Sequence, residues 1–357
     1  MIPSVVKVVV VSLYVSLCLC RNTVAIALPE HVVVPAVFTF GDSQVDQGNN
    51  NNVASIAKGN YPPYGKDFPG AIPTGRFSNG KTLSDVFANA FGVKEYLPAY
   101  LDPLIHDKDL LTGVSFASGA AGYDPETSKA GTALSMATQL DMFKEYIQKL
   151  KTNVGEEATN NIITNSVFLV VVGGNDLQVS YYGLPTRRLQ YDIRGYSKFL
   201  VTLALDYVQE LQNLGARRIG VFGIPVLGCV PTQRTMNGGL LRSCADNINA
   251  AAQLFNEMLK QELQNYKSSF LDSKVAFVDY YNPYMNIIQN PHNYGLEVVD
   301  KGCCGTGEIE TIYLCNKLTP LCHNSSDHLF WDGFHLSETG CNIIVNIMIS
   351  DMVNSLF

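Results

Sequence analysis

Residues 34–52 read VPAVFTFGDSQVDQGNNNN. Ala36 to Phe40 is a short apolar run rich in β-branched and aromatic residues. It breaks abruptly into Gly41-Asp42-Ser43, and polar residues follow. Most serines placed after a strand are turn or cap residues, because the hydroxyl satisfies a free backbone N–H. Whether Ser43 is one of these or a nucleophile depends on what the rest of the chain brings to it.

Four further runs have the same character: Gly113–Ala117, Val167–Val172, Arg218–Phe222 and Val275–Val278. Each is short, apolar and bounded by Gly, Pro, Asn or Ser, which predicts strands. Between them lie apolar residues at helical spacing. One stripe is Leu140, Phe143, Ile147 and Leu150; another is Leu200, Leu203, Val208 and Leu211, with Gly215 as its stop. The third is Ile248, Ala251, Phe255, Met258 and Leu263. Near-continuous apolar strands alternating with helices indicate an α/β fold whose parallel sheet is covered on both faces. In such sheets ligands bind outside the carboxyl ends of the strands, where Ser43 lies.

The chain has 357 residues, 46% of them apolar and 16% charged, an ordinary globular composition. Lys7 precedes an apolar run from Val8 to Cys20, and Ala25-Ile26-Ala27 supplies a small-x-small cleavage pattern. That run is shorter than the roughly 20 residues needed to cross a bilayer, so 1–27 reads as a secretory signal peptide. Residues 28–357 are then expected to form a single domain of an extracellular protein. Losing Lys7 and Arg21, and no acid, takes the net charge from −7 to −9. An acidic chain without a basic run is a poor partner for nucleic acid.

Of the cysteines, Cys18 and Cys20 go with the leader. Cys229, Cys244, Cys303, Cys304, Cys315 and Cys322 are candidates for disulfides, and Cys341, in a helical pattern, is the expected odd thiol. The adjacency of Cys303 and Cys304 does not match the usual zinc-ligand spacing, and secretion favours disulfides over a metal. Asn324-Ser325-Ser326 is an N-glycosylation acceptor sequence.

A serine nucleophile needs a base, a group to orient the base, and donors for an oxyanion. His31, His106, His292, His323 and His328 sit in loop-like sequence. His335 differs: in FWDGFHLSE, Asp332 is three residues earlier, close enough in a tight turn for carboxylate and imidazole to meet. VFLVVVGGNDL ends an apolar run in Gly173-Gly174-Asn175-Asp176, where an Asn amide can donate to an oxyanion. GVSFASGAAG also runs into glycines, whose backbone N–H groups offer a further donor. Singly these signals are ordinary; in chain order they run nucleophile, donor, donor, acid and base.

With FTFGDSQVDQGNNN, YPPYGKDFPGAIPTGRFSNGK, LPAYLDPLIHDKDLLTGVSFASGAAGYDP, VVVGGNDL, LGARRIGVFGIPVLGCVPTQRT, LFNEML, VVDKGCCGTGEIE and FWDGFHLSE, the sequence resembles a plant GDSL esterase/lipase of the SGNH hydrolase superfamily. The extracellular-lipase branch is most similar, and the match covers nearly all of residues 28–357. The resemblance implies a three-layer α/β/α sandwich around a five-stranded parallel, flavodoxin-like sheet. It implies hydrolysis of small-molecule or lipid acyl esters without metal or organic cofactor. Ser43 matches the family nucleophile, Asp332 and His335 the acid and base, Asn175 the Asn donor, and Gly119, with Gly122 as the alternative, the oxyanion glycine.

Three positions depart from the family pattern. Gln44 stands where the naming motif has Leu, Ser115 where an Asn is frequent, and Leu336 where a Pro often follows the His. Other readings remain open on sequence alone. Gly113-Val114-Ser115-Phe116-Ala117 is the nearest approach to an α/β-hydrolase elbow, though it lacks the second Gly. The same triad would serve an acyltransferase, and the fold could persist in a lipid- or wall-binding protein of weak activity. Natural substrate, acyl-chain length and oligomeric state are not legible.

Overall fold

The computed structural model describes residues 28–29, 32–266, 268, 270, 272–311 and 315–357, so the expected leader and His31 lie outside the described residues. Strands β1 (Val37–Gly41), β2 (Val167–Val171), β3 (Arg218–Phe222) and β4 (Lys274–Val278) form a parallel sheet in that spatial order. Every residue of β1 and β2 is buried, whereas β4, at the sheet edge, is largely half-exposed.

The expected fifth strand is present as a parallel neighbour of β1 but not as a full strand. The Thr39 N–H donates to Val114 O, the Phe116 N–H to Thr39 O and the Ser118 N–H to Gly41 O. Regular pairing stops there for two reasons. Gly113 takes a positive φ of 88°, and the other edge of Ser115 pairs with residues 98–100. Because the 112–118 segment lies on one side of β1 and β2 on the other, the chain reverses its winding between β1 and β2. That crevice is where open α/β sheets bind ligands.

The helices that cover the sheet are α1 (Leu83–Ala90), α2 (Met136–Val154), α3 (Ile193–Asn213), α4 (Asp246–Asn265), α5 (Tyr281–Gln289) and α6 (Glu338–Leu356). The layer of α2, α3 and α4 covers one face; α1 and α6, with α5 beside α6, cover the other. The alternation within β1 makes this possible. Phe38 and Phe40 point to one layer and meet Phe143 of α2 at ring centroids of 5.6 and 5.5 Å. Thr39 points to the other and its Oγ1 lies 3.0 Å from Ser84 Oγ of α1. Each fully buried aromatic of this kind contributes about 1.5–3 kcal/mol. α3 stops where Gly215 takes a φ of 106°, as its position after the apolar stripe predicts.

A second, two-stranded parallel sheet pairs β5 (Val298–Gly302) with β6 (His328–Phe330). The sequence analysis did not anticipate it. It matters because β6 runs directly into Trp331-Asp332. The six candidate cysteines pair as Cys229–Cys244, Cys303–Cys322 and Cys304–Cys315, and Cys341 is a buried free thiol. Two of these bridges tie down the loop between β5 and β6.

Candidate active site

Gly41 ends β1 with a φ of 138°, and a Cβ there would lie 1.9 Å from Val171 O, so only glycine lets the chain leave the sheet at this angle. The buried Gln139 of α2 holds the turn from both sides, its Oε1 accepting from the Gly41 N–H at 2.8 Å and its Nε2 donating to Gly41 O at 2.9 Å. Ser43 follows at the carboxyl end of β1.

Its hydroxyl meets a histidine from the far end of the chain. Ser43 Oγ lies 2.8 Å from His335 Nε2, and His335 Nδ1 lies 2.8 Å from Asp332 Oδ2. All three residues are at least 93% buried, Ser43 being the most accessible at 7%. The other carboxylate oxygen, Asp332 Oδ1, accepts from the Phe334 N–H at 2.8 Å and the His335 N–H at 2.7 Å. Burial opposes the Asp332 charge, but His335 and these hydrogen bonds outweigh it and hold the carboxyl below its ordinary range. The Phe77 ring packs against His335 at 4.9 Å between centroids.

Sequence reasoning missed Tyr64. Its hydroxyl donates to Asp332 Oδ2 at 2.7 Å, and burial followed by the nearby Asp332 charge pushes the phenol well up, so it remains a donor. It also missed the polar scaffold behind Ser43. Asp46, fully buried, accepts from the N–H groups of Gly48, Asn49 and Gly119, each at 2.8 Å. Asn49 donates to Ser115 O and Ala117 O, and Asn50 to Ala57 O and Gly119 O. Asn49 and Asn50 thus clamp the 115–119 segment, whereas Asn51 donates to Thr74 O and Asn52 to Leu101 O.

That clamp engages the expected oxyanion glycine. The Gly119 N–H is spent on Asp46 at 2.8 Å, and the alternative, Gly122, donates to Ser128 Oγ at 3.2 Å. Ala121 donates to Ser118 O. Within 119–122 this leaves the Ala120 N–H without a partner among the described residues, at a left-handed φ of 71°. Asn175 lies alongside: one of its two Nδ2 hydrogens goes to Ala121 O at 2.9 Å, which orients the amide and leaves the other available.

Ser115 is not an elbow nucleophile. It is fully buried in the middle of its segment, with Oγ donating to Val45 O at 2.7 Å. His106, His292 and His323 are exposed, and His328 bonds its neighbour Asp327 at 2.5 Å. Asn324 is exposed and its side chain accepts from the Ser326 N–H at 3.2 Å. Gln44, Phe77, Thr82, Leu336 and Cys341 line a cavity of about 10 Å³ beside Ser43, room for about one water. A far larger groove, about 800 Å³, runs along the open edge of β4 and contains none of these residues. The small cavity, where the Ser43 hydroxyl and the His335 imidazole converge, is the chemically relevant one.

Residues 37–348 match the family model described as GDSL-like Lipase/Acylhydrolase. The chain belongs to this family. Similar proteins from Arabidopsis thaliana are GDSL esterase/lipase EXL3, 46% identical over 337 residues, and GDSL esterase/lipase EXL2, 44% identical over 339. Those alignments cover 94% and 91% of this chain, and 92% and 89% of the relatives. In the GDSL-like hydrolase described here the motif after β1 reads Gly41-Asp42-Ser43-Gln44. Gln44 donates its backbone N–H to Asp42 Oδ1 at 3.0 Å, and its side chain makes no hydrogen bond among the described residues. The Gln44 side chain therefore takes no part in holding the turn.

Proposed function

We propose that this protein is a secreted carboxylic-ester hydrolase in which Ser43 is the nucleophile, His335 the general base and acid, and Asp332 the residue that orients and charge-balances the imidazole. The observation that carries the reading is the continuous line Ser43 Oγ–His335 Nε2, His335 Nδ1–Asp332 Oδ2, with 2.8 Å at each step. His335 takes the Ser43 proton as Oγ attacks the ester carbonyl, and the imidazolium is held by the Asp332 carboxylate. The tetrahedral oxyanion is received by the Ser43 N–H, the free Asn175 Nδ2 hydrogen and the Ala120 N–H. His335 then protonates the leaving alcohol, and water repeats the sequence on the acyl-Ser43 ester to release the acid.

No step calls on a metal or organic cofactor. The three disulfides support an oxidising, extracellular setting, and exposed Asn324 is the proposed glycan acceptor. N-terminal sequencing of secreted material should begin near Leu28; a start at Met1 would overturn the leader. The decisive test of the chemistry is Ser43→Ala assayed on p-nitrophenyl esters of increasing chain length. The variant should keep the wild-type thermal midpoint and lose turnover to background. An Ala variant that still hydrolyses them removes Ser43 from its role.

A further inference from the structure

The segment between Cys229 and Cys244 ends in an exposed turn with two leucines at its tip. The Arg242 N–H donates to Gly239 O at 3.1 Å and the Ser243 N–H to Gly238 O at 3.0 Å, closing a turn in which Leu240 is 104% and Leu241 89% exposed. Met236, on the helix leading into the turn, is 67% exposed, and Ile309, on the β5–β6 loop, is 62% exposed. The two loops are joined. Arg242 donates to Gly307 O and Asp300 O, both at 3.0 Å, and the Glu310 N–H donates to Thr235 Oγ1 at 3.0 Å. Scattered exposed leucines need no explanation, but exposed apolar side chains on two cross-braced loops make this region a candidate interaction surface.

Three features identify what meets it. Leu240 and Leu241 are almost wholly exposed at the turn, so a partner can receive both side chains without rearranging the chain. From Cys229 to Ala245 there is no acid, although the chain as a whole carries a net charge of −7. The two arginines of that stretch point inward: Arg234 donates to Cys229 O at 2.8 Å and Arg242 to the neighbouring loop, so the tip itself is uncharged. The disulfide Cys229–Cys244 and these bonds keep the leucines from folding back. The same segment touches the catalytic turn, because the Thr232 N–H donates at 2.8 Å to Gly333 O, between Asp332 and His335.

We propose that Leu240, Leu241, Met236 and Ile309 form an apolar anchor that inserts into a lipid–water interface and so brings Ser43 to esters presented on a lipid surface. The purpose assigned to the anchor rests on the ester-hydrolase reading above; the anchoring itself does not. The test uses Ser43→Ala protein, which cannot consume the lipid, and phosphatidylcholine vesicles in a flotation assay. Protein with the native tip should float with the vesicles. Leu240→Ser/Leu241→Ser on the same background should partition roughly 100-fold more weakly, about one decade for each leucine lost from the apolar phase. Leu240→Trp supplies a second readout in which nothing is removed: its fluorescence should shift to the blue on adding vesicles, against a native Trp331 that is already buried. Because the tip is apolar, partition should persist when salt is raised to 1 M.

Equal partition of the native and Ser/Ser tips, an unshifted Leu240→Trp spectrum, or flotation only with anionic vesicles at low salt would each overturn the proposal. In the active enzyme, the Ser/Ser change should lower the ratio of vesicle-embedded to dissolved ester hydrolysis by a similar factor. Vesicle binding by a protein that hydrolyses neither ester would refute the catalytic reading and leave the anchor standing.

Discussion

Asp332→Asn gives the sharpest test of the proposed division of labour, because the structure dictates how the new amide must sit. Asp332 Oδ1 accepts two backbone N–H groups, from Phe334 and His335, at 2.8 and 2.7 Å. An amide NH₂ cannot occupy that position without two donors facing each other, so the carbonyl oxygen of Asn takes it. The NH₂ is then forced to the Oδ2 site, 2.8 Å from His335 Nδ1. There it is a donor, so Nδ1 must become the acceptor and the ring proton moves to Nε2. Nε2 now points a hydrogen at Ser43 Oγ and cannot accept the serine proton. Fixing this wrong tautomer in a serine triad costs about 10⁴ in kcat, equivalent to about 5.4 kcal/mol of transition-state stabilisation. The assay is steady-state hydrolysis of a dissolved p-nitrophenyl ester. Thermal unfolding alongside shows that the variant is folded, and substrate binding should change little beside kcat. A folded Asn variant within tenfold of wild-type kcat would refute the tautomer argument and with it the role of Asp332.

Tyr64→Phe removes a single hydrogen bond to the Asp332 carboxylate, worth about 1.5–3 kcal/mol for a charged acceptor. Stability should fall by that amount, and the acid limb of the kcat/KM profile should move to higher pH, since a donor that favours the ionised form is gone; an unmoved limb would count against Tyr64 as a positioning residue. Asn175→Ala should lower kcat by about 10²–10³ with a small effect on KM, the usual cost of one oxyanion donor, and an unchanged kcat would take Asn175 out of the oxyanion site. Stability should also fall as pH rises above the acid range. Burial, against opposing hydrogen bonds, pushes Asp42 up to about 7, Asp46 up to about 6 and Asp176 up to about 7, from an ordinary 3.8. Each holds a proton in the folded chain that the unfolded chain has released, so unfolding free energy declines between about pH 4 and 7. The thermal midpoint should drop by several degrees from pH 5 to pH 8, and a midpoint that rises over that interval would contradict the assignment of these three groups.

What could be read from the sequence, and what could not, divides along a physical line. β1 to β3 and the helices α2, α3 and α4 were legible because burial imposes a period on apolar residues, and a period survives in one dimension. Ser43, Asn175 and the Asp332–His335 pair were legible as residues of the right chemistry at the ends of such elements. β5 and β6 were not, because Val298-Val299-Asp300-Lys301-Gly302 is mostly half-exposed and carries two charges, which leaves no clean alternation to detect. Tyr64 was not legible because its partner is 268 residues away and a tyrosine in a proline-rich stretch reads as surface. The partner of the Gly119 N–H was hidden for a related reason. A glycine-rich turn announces free N–H groups, but whether they stay free is decided by Asp46, 73 residues earlier.

That bond and those of Asn49 and Asn50 give the polar stretch after Ser43 a structural role. An apolar core fixes elements only to the tolerance of side-chain packing, and cores accept many repackings of equal volume. An oxyanion site has to be held within roughly half an ångström, which directional bonds can do. Asp46, Asn49 and Asn50 supply such bonds to six backbone groups between Ser115 and Gly119 or just after Ser43: the N–H groups of Gly48, Asn49 and Gly119 and the carbonyls of Ser115, Ala117 and Gly119. With these buried groups satisfied, the network rigidifies the 115–119 segment that leads into Ala120. Gln44 sits inside this stretch yet gives it only a backbone N–H, to Asp42. The side chain at this position takes no part in the hydrogen-bonded frame and instead lines the small cavity beside Ser43.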